Sequence, residues 1–154
     1  MLLRRQVIEA FKEAIRASDP RAITRQHVRL QDGKLIAGPT KLDLSHYDRV
    51  FVIGGGKASL GMALEIERIL GDRVTDGIVN IPNYLTRRPG SNRVKLNPAA
   101  HPIPSMKGVI GVEEMLRLVG RRGDAQTDAR PEASPRRPVF ALGPPHLGKD
   151  LMQR

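Results

Sequence analysis

The chain has 154 residues, no cysteine and a formal net charge of +10. That length suits one domain with a real core or a piece of something larger, and the missing thiols exclude a disulfide framework and thiolate metal sites. No run approaches the roughly 20 apolar residues of a membrane span, and Met1-Leu2-Leu3-Arg4-Arg5 lacks the apolar core of a signal peptide, so a soluble, cytoplasmic protein without a membrane partner is expected.

From Leu3 to about Ala17, Leu3, Val7, Phe11, Ala14 and Ile15 recur at three- and four-residue spacing, which predicts an amphipathic helix ending at Asp19-Pro20. Ser18 or Asp19 then caps a second short helix with Pro20 in its first turn. Val28-Arg29-Leu30-Gln31 and Lys34-Leu35-Ile36 flank Asp32-Gly33, a strong hairpin signal because both turn positions tolerate positive φ.

The next unit is Val50-Phe51-Val52-Ile53, an apolar, mostly β-branched run that reads as a strand covered on both faces, followed by Gly54-Gly55-Gly56-Lys57-Ala58-Ser59 and a helix over Ser59 to Leu70. Gly71 stops that helix, and strands follow at Gly77 to Ile81 and around Arg93 to Leu96. His101-Pro102-Ile103-Pro104 cannot be regular, because its prolines fix extended backbone before Ser105 opens another helix. Strands joined by helices predict an α/β fold of open three-layer, Rossmann-like type, with ligands at the carboxyl ends of the parallel strands.

Periodicity vanishes beyond Gly120. Five of the chain's 12 prolines follow Arg130, and Val139-Phe140-Ala141-Leu142 is the one short apolar run. The expected organisation is an α/β domain over 1–120 and an irregular Pro/Arg-rich tail over 121–154.

The glycine turn carries the chemistry. Residues without Cβ atoms let the backbone bend sharply and approach a ligand, the following helix offers unpaired N–H groups, and Lys57 adds a full positive charge. Gly54, Gly55, Gly56, Lys57 and Ser59 are therefore candidate anion-binding residues, to be weighed against glycine serving only tight packing. His101, on a rigid loop after a strand, is a further candidate, its plain alternative being a loop-locking hydrogen bond. Neither standard nucleotide fingerprint fits: the Walker spacing is absent, and Gly54, Gly56 and Ser59 follow the dinucleotide frame without an acidic residue closing the next strand. No metal site is read. Basic residues are scattered in short pairs such as Arg87-Arg88 and Arg136-Arg137, and aromatic content is 3%, which argues against nucleic acid as a partner.

Three stretches together resemble the N-terminal part of the glycerate 2-kinase family, the MOFRL-type glycerate kinases sometimes labelled hydroxypyruvate reductases. They are Gly54-Gly55-Gly56-Lys57-Ala58 with Gly61-Met62-Ala63 and Glu67, then Asp76-Gly77-Ile78-Val79 with Pro82, and Ala100-His101-Pro102-Ile103-Pro104. The resemblance covers Leu2 to about Gly120. It implies transfer of the ATP γ-phosphoryl group to the 2-hydroxyl of D-glycerate, with ATP and Mg²⁺ as cofactors, Lys57 as the catalytic residue, and Gly54, Gly55, Gly56, Ser59 and His101 around substrate or phosphate. The family's second glycine turn and second domain have no counterpart here, so the chain is expected to be a truncated or frameshifted fragment, weakly active or inactive, that self-associates through uncovered apolar surface. The alternative is a non-catalytic anion- or nucleotide-binding module. The reductase label finds no support in the nucleotide fingerprints.

Overall fold

Helix α1 (Leu2–Ala17) and helix α2 (Pro20–His27) meet at Asp19 in a computed structural model that describes residues 2–85, 91, 93–120 and 139–141. The Asp19 carboxylate accepts from the Arg21 and Ala22 amides, both at 2.9 Å, and Pro20 occupies the first turn of α2, as the sequence predicts. The Asp32-Gly33 hairpin also forms: β1 (Val28–Gln31) pairs antiparallel with β2 (Lys34–Ala37), and Asp32 and Gly33 take φ of 51° and 73°. A third strand, β3 (Thr40–Asp43), extends this sheet beyond the two strands expected. Its Thr-Lys-Leu-Asp sequence carries no period-two apolar signal, so pairing with β2 rather than local pattern defines it.

The second sheet is parallel. Strands β4 (Val50–Gly55), β5 (Asp76–Pro82), β6 (Val94–Ala99) and β7 (Val139–Ala141) lie in the order β6-β5-β4-β7. Helix α3 (Ser59–Leu70) links β4 to β5, and α4 (Met106–Gly120) follows β6. The chain is thus α/β, with the antiparallel sheet as an addition. Two expectations need correction. Strand β6 starts at Val94 and runs on through Pro98 to Ala99, and the Val139-Phe140-Ala141 run, read as part of an irregular tail, pairs with Val50-Phe51-Val52, so β4 has a strand partner on each side. The rest of the expected tail, residues 121–138 and 142–154, lies outside the described residues, as does most of the loop through Arg87, Arg88, Pro89 and Gly90.

One core joins both sheets. Val50, Val52, Val79, Ile81 and Val94 pack with Ala63, Ile66 and Leu70 of α3, with Leu35 of β2 and with Leu44 in the short turn after β3. Paired residues in parallel strands share a face, so Asn80 and Asn97, which are in register, both turn to the opposite side, where α4 lies. There α4 comes so close that a Cβ on Gly111 would sit 2.0 Å from Asn80 Oδ1 and 2.4 Å from Asn97 Nδ2. Outside the core, α1 exposes Leu3, Val7, Phe11 and Ile15, and α4 exposes Met106 and Leu116. Among the described residues no helix is long and apolar enough to cross a membrane.

Candidate anion-binding site

The turn after β4 is built by contacts with the neighbouring strand. The Gly56 amide donates to the Asn80 carbonyl at 3.2 Å, and the Ser59 hydroxyl lies 2.7 Å from both the Gly56 and the Asn80 carbonyl oxygens. Gly56 takes φ of +125°, a conformation open to glycine and strained for L side chains, and nothing lies within 4 Å of where its Cβ would be. The bend is therefore open, not packed shut. Gly55 and Gly56 are exposed, Gly54 is half-buried, and Lys57 is exposed with no hydrogen bond or ion pair to another described residue. No side chain caps the start of α3, and the Ser59 amide, the first of the helix, donates to the Gly56 carbonyl at 3.2 Å, so the helix offers an anion the partial positive charge of its N-terminus rather than that amide.

Ser59 is buried, and its hydroxyl is committed to the two carbonyls. Its place is to rivet the turn to β5 from behind.

Beside the turn a cleft of about 540 Å³ opens at the carboxyl ends of β4, β5 and β6, and its walls include Gly55, Gly56, Asn80, His101, Pro104 and Val112. The structure thus brings His101 to the same cavity as Gly55 and Gly56, while Gly54, Lys57 and Ser59 lie outside its lining. His101 is exposed on a bend and joined to Pro102 by a cis peptide bond. Ser105, which precedes α4, accepts from the Ala100 amide at 3.3 Å and pins that loop.

Sequence reasoning missed Asn80, the centre of this arrangement. Its carbonyl holds the glycine turn, its amide donates to Gly108 of α4 at 3.0 Å, and its side-chain oxygen accepts from Asn97 at 2.7 Å. A lone amide among Ile78, Val79 and Ile81 was the available signal, since a polar residue within an apolar strand needs partners. Also missed was Glu65, whose side chain is fully buried within α3. Its oxygens accept from Arg25 at 2.8 and 3.1 Å and from Arg68 at 2.7 Å, with Arg21 at 3.7 Å. The Arg25 hydrogen bonds, followed by those of Arg68, hold this carboxyl at about 2 despite its burial. This cluster ties α2 to α3 and so fixes the helix that begins at the turn.

The fit to a phosphate-bearing ligand rests on the open Gly56 bend, the Lys57 ammonium and the adjoining cleft. Among the described residues, no group of three or more His, Asp or Glu side chains gathers to hold a metal ion.

The family model described as a Domain of unknown function (DUF4147) matches residues 6–127, and the chain belongs to that family. Within it the likeness is to the N-terminal part of glycerate kinases, as the sequence motifs imply. The chain is 35% identical over 109 residues to the Glycerate 2-kinase of Pyrococcus horikoshii, a match covering 71% of this chain and 23% of that protein. It is 34% identical over 73 residues to the Glycerate kinase of Danio rerio, covering 47% of this chain and 14% of that one. The crystal structure of the PH0495 protein from Pyrococcus horikoshii superimposes with a TM-score of 0.65 at 32% identity, covering 77% of this chain and 26% of that chain. The chain therefore spans about a quarter or less of the length of the curated relatives it matches.

Proposed function

We propose that this chain is the Rossmann-like, three-layer first domain of an ATP-dependent glycerate 2-kinase and that its glycine turn grips the nucleotide's phosphoryl groups. The open Gly55-Gly56-Lys57 bend beside the cleft carries this reading, in a chain 35% identical to a glycerate 2-kinase. The strand order supports it: β5 and β6 extend the sheet to one side of β4 and β7 to the other, the reversal beside which α/β sheets bind ligands.

In the reaction the 2-hydroxyl oxygen of D-glycerate bonds to the γ-phosphorus as the bond to the β–γ bridging oxygen breaks. The hydroxyl proton leaves to water, and ADP departs. Such a transfer needs charge stabilisation and alignment more than covalent help. Lys57 supplies a mobile positive charge to the transferring oxygens, and the N-terminus of α3 supplies a fixed partial positive charge. Asn80 and Ser59 keep the turn in shape, and His101 contacts the occupant of the cleft from another wall. A Mg²⁺ carried on the phosphates would add charge neutralisation. Among the described residues no carboxylate or imidazole cluster would hold that metal.

On this reading the chain binds ATP through Lys57. Titration with ATP and a glycerate-dependent ADP-release assay, each run on the wild type and Lys57→Ala, test both parts. The expected result is ATP binding weakened at least tenfold by the substitution. Equal affinity in the two proteins would overturn the reading, as would ADP release that does not depend on glycerate.

A further inference from the structure

We infer that Asn97 is a positioning residue for the glycine turn, acting through Asn80 from two strands away, a role that rests on the anion-binding reading of that turn. The two amides make the glycine turn and the first turn of α4 one mechanical unit.

A row of paired residues crosses the sheet at its carboxyl end: Gly55 of β4 pairs with Asn80 of β5, and Asn80 pairs with Asn97 of β6. Asn80 holds on in two directions. Its carbonyl accepts from the Gly56 amide at 3.2 Å and from the Ser59 hydroxyl at 2.7 Å, so the turn rests on its main chain. Its side-chain amide donates to the Gly108 carbonyl of α4 at 3.0 Å. Asn97 fixes the orientation of that amide, because its Nδ2 donates both to Asn80 Oδ1 at 2.7 Å and to the Lys107 carbonyl at 2.8 Å. With its oxygen and its nitrogen both engaged, the Asn80 amide has one way to point, and a polar network satisfied in this manner is rigid.

Helix α4 is shaped to sit on the pair. A Cβ on Gly111 would stand 2.0 Å from Asn80 Oδ1 and 2.4 Å from Asn97 Nδ2, so only a residue without one lets the helix descend onto the amides. The carbonyls that the amides hold belong to the first turn of α4, whose Gly108 and Val109 line the same cleft as Gly55 and Gly56. The spacing between turn and helix is therefore set by Asn80 and Asn97. Asn97 itself lies outside that lining, and β5 stands between its strand and β4, a separation of roughly 10 Å. Its influence on an anion at the turn thus passes through Asn80.

The test follows inorganic pyrophosphate binding to the full chain by calorimetry and hydrogen exchange of the Gly56 amide by NMR without ligand. Asn97→Ala is expected to weaken pyrophosphate about three- to tenfold, the range that one neutral hydrogen bond spans, and to speed Gly56 exchange about fivefold by local opening. Asn97→Asp keeps the shape without the amide donors and is the second variant, with circular dichroism reporting folding. Val94→Ala, a core change at the other end of β6, lowers stability without touching the row and should alter neither readout. Added to Asn80→Ala, Asn97→Ala should weaken pyrophosphate by less than about twofold, because the route is already cut. Two folded Asn97 variants that match the wild type in both readouts, while Lys57→Ala loses pyrophosphate, would overturn the inference and leave the anion reading standing. An effect equalled by Val94→Ala, or one that adds in full to Asn80→Ala, would overturn it as well. Equal pyrophosphate binding by the wild type and Lys57→Ala would sink the anion reading and, with it, this role for Asn97.

Discussion

Glu65→Gln removes the negative charge from the arginine cluster while keeping its shape, and the structure sets the scale of the effect. A carboxyl ordinarily near 4.5 is held at about 2, and each pKa unit corresponds to about 1.4 kcal/mol, which gives an upper figure of about 3.4 kcal/mol. The arginines are 46%, 59% and 54% exposed, so water and salt screen part of this, and about 2 kcal/mol is expected. For a domain of this size that corresponds to a fall in Tm of roughly 6–12 °C. The sign of the pH dependence follows from the lowered value. The stabilisation is present in full above the unfolded carboxyl's range near 4.5, and it is lost as pH falls through the folded value of about 2. Thermal melting of the wild type and Glu65→Gln should therefore show a gap at pH 7 that narrows below pH 4.5 and closes near pH 2. A gap under 1 °C at pH 7, or one of constant size down to pH 2, would refute the reasoning.

Gly111→Ala forces a methyl group to within 2.0 Å of Asn80 Oδ1, so a loss of about 3 kcal/mol is expected in urea denaturation, by the overpacking that a filled core resists. Gly56→Ala meets no neighbour but keeps φ near +125° only under strain, so it should cost about 1–2 kcal/mol and weaken pyrophosphate binding in calorimetry. Phe11 is 67% exposed on the apolar stripe of α1. Phe11→Glu should leave Tm within about 2 °C, as surface changes do; we propose that this stripe drives self-association, in which case light scattering should grow with concentration for the wild type and not for the variant.

Where local chemistry decides conformation, the sequence is legible. The Asp32-Gly33 hairpin, the capped start of α2, the β4–turn–α3 unit and the helix after Ser105 follow from residues whose own backbone preferences or apolar spacing specify them. Less legible were features created by pairing across the chain. Strand β3 and the short strand β7 depend on the partners beside them, and β6 crosses Pro98, a residue that argues locally against a strand. In the site, Gly55, Gly56 and His101 do meet at one cleft. Ser59 looked like a ligand-facing hydroxyl because its distance in sequence from the glycines says nothing of the β5 carbonyl behind it. Glu65 resembled any surface glutamate of an amphipathic helix, since its three arginine neighbours come from α2 and the next turn of α3.

The pairing of β7 stops at Val52, so along that flank Ile53, Gly54 and Gly55 have no strand partner among the described residues. Strand β4 is in effect a half-closed zip, fastened on both sides at its base and on one side at its tip. Amide hydrogens should exchange with deuterium slowly at the base and faster toward the glycines, a gradient of local opening within six residues. The stretch nearest the bend thus retains freedom to adjust its main chain when something settles against it.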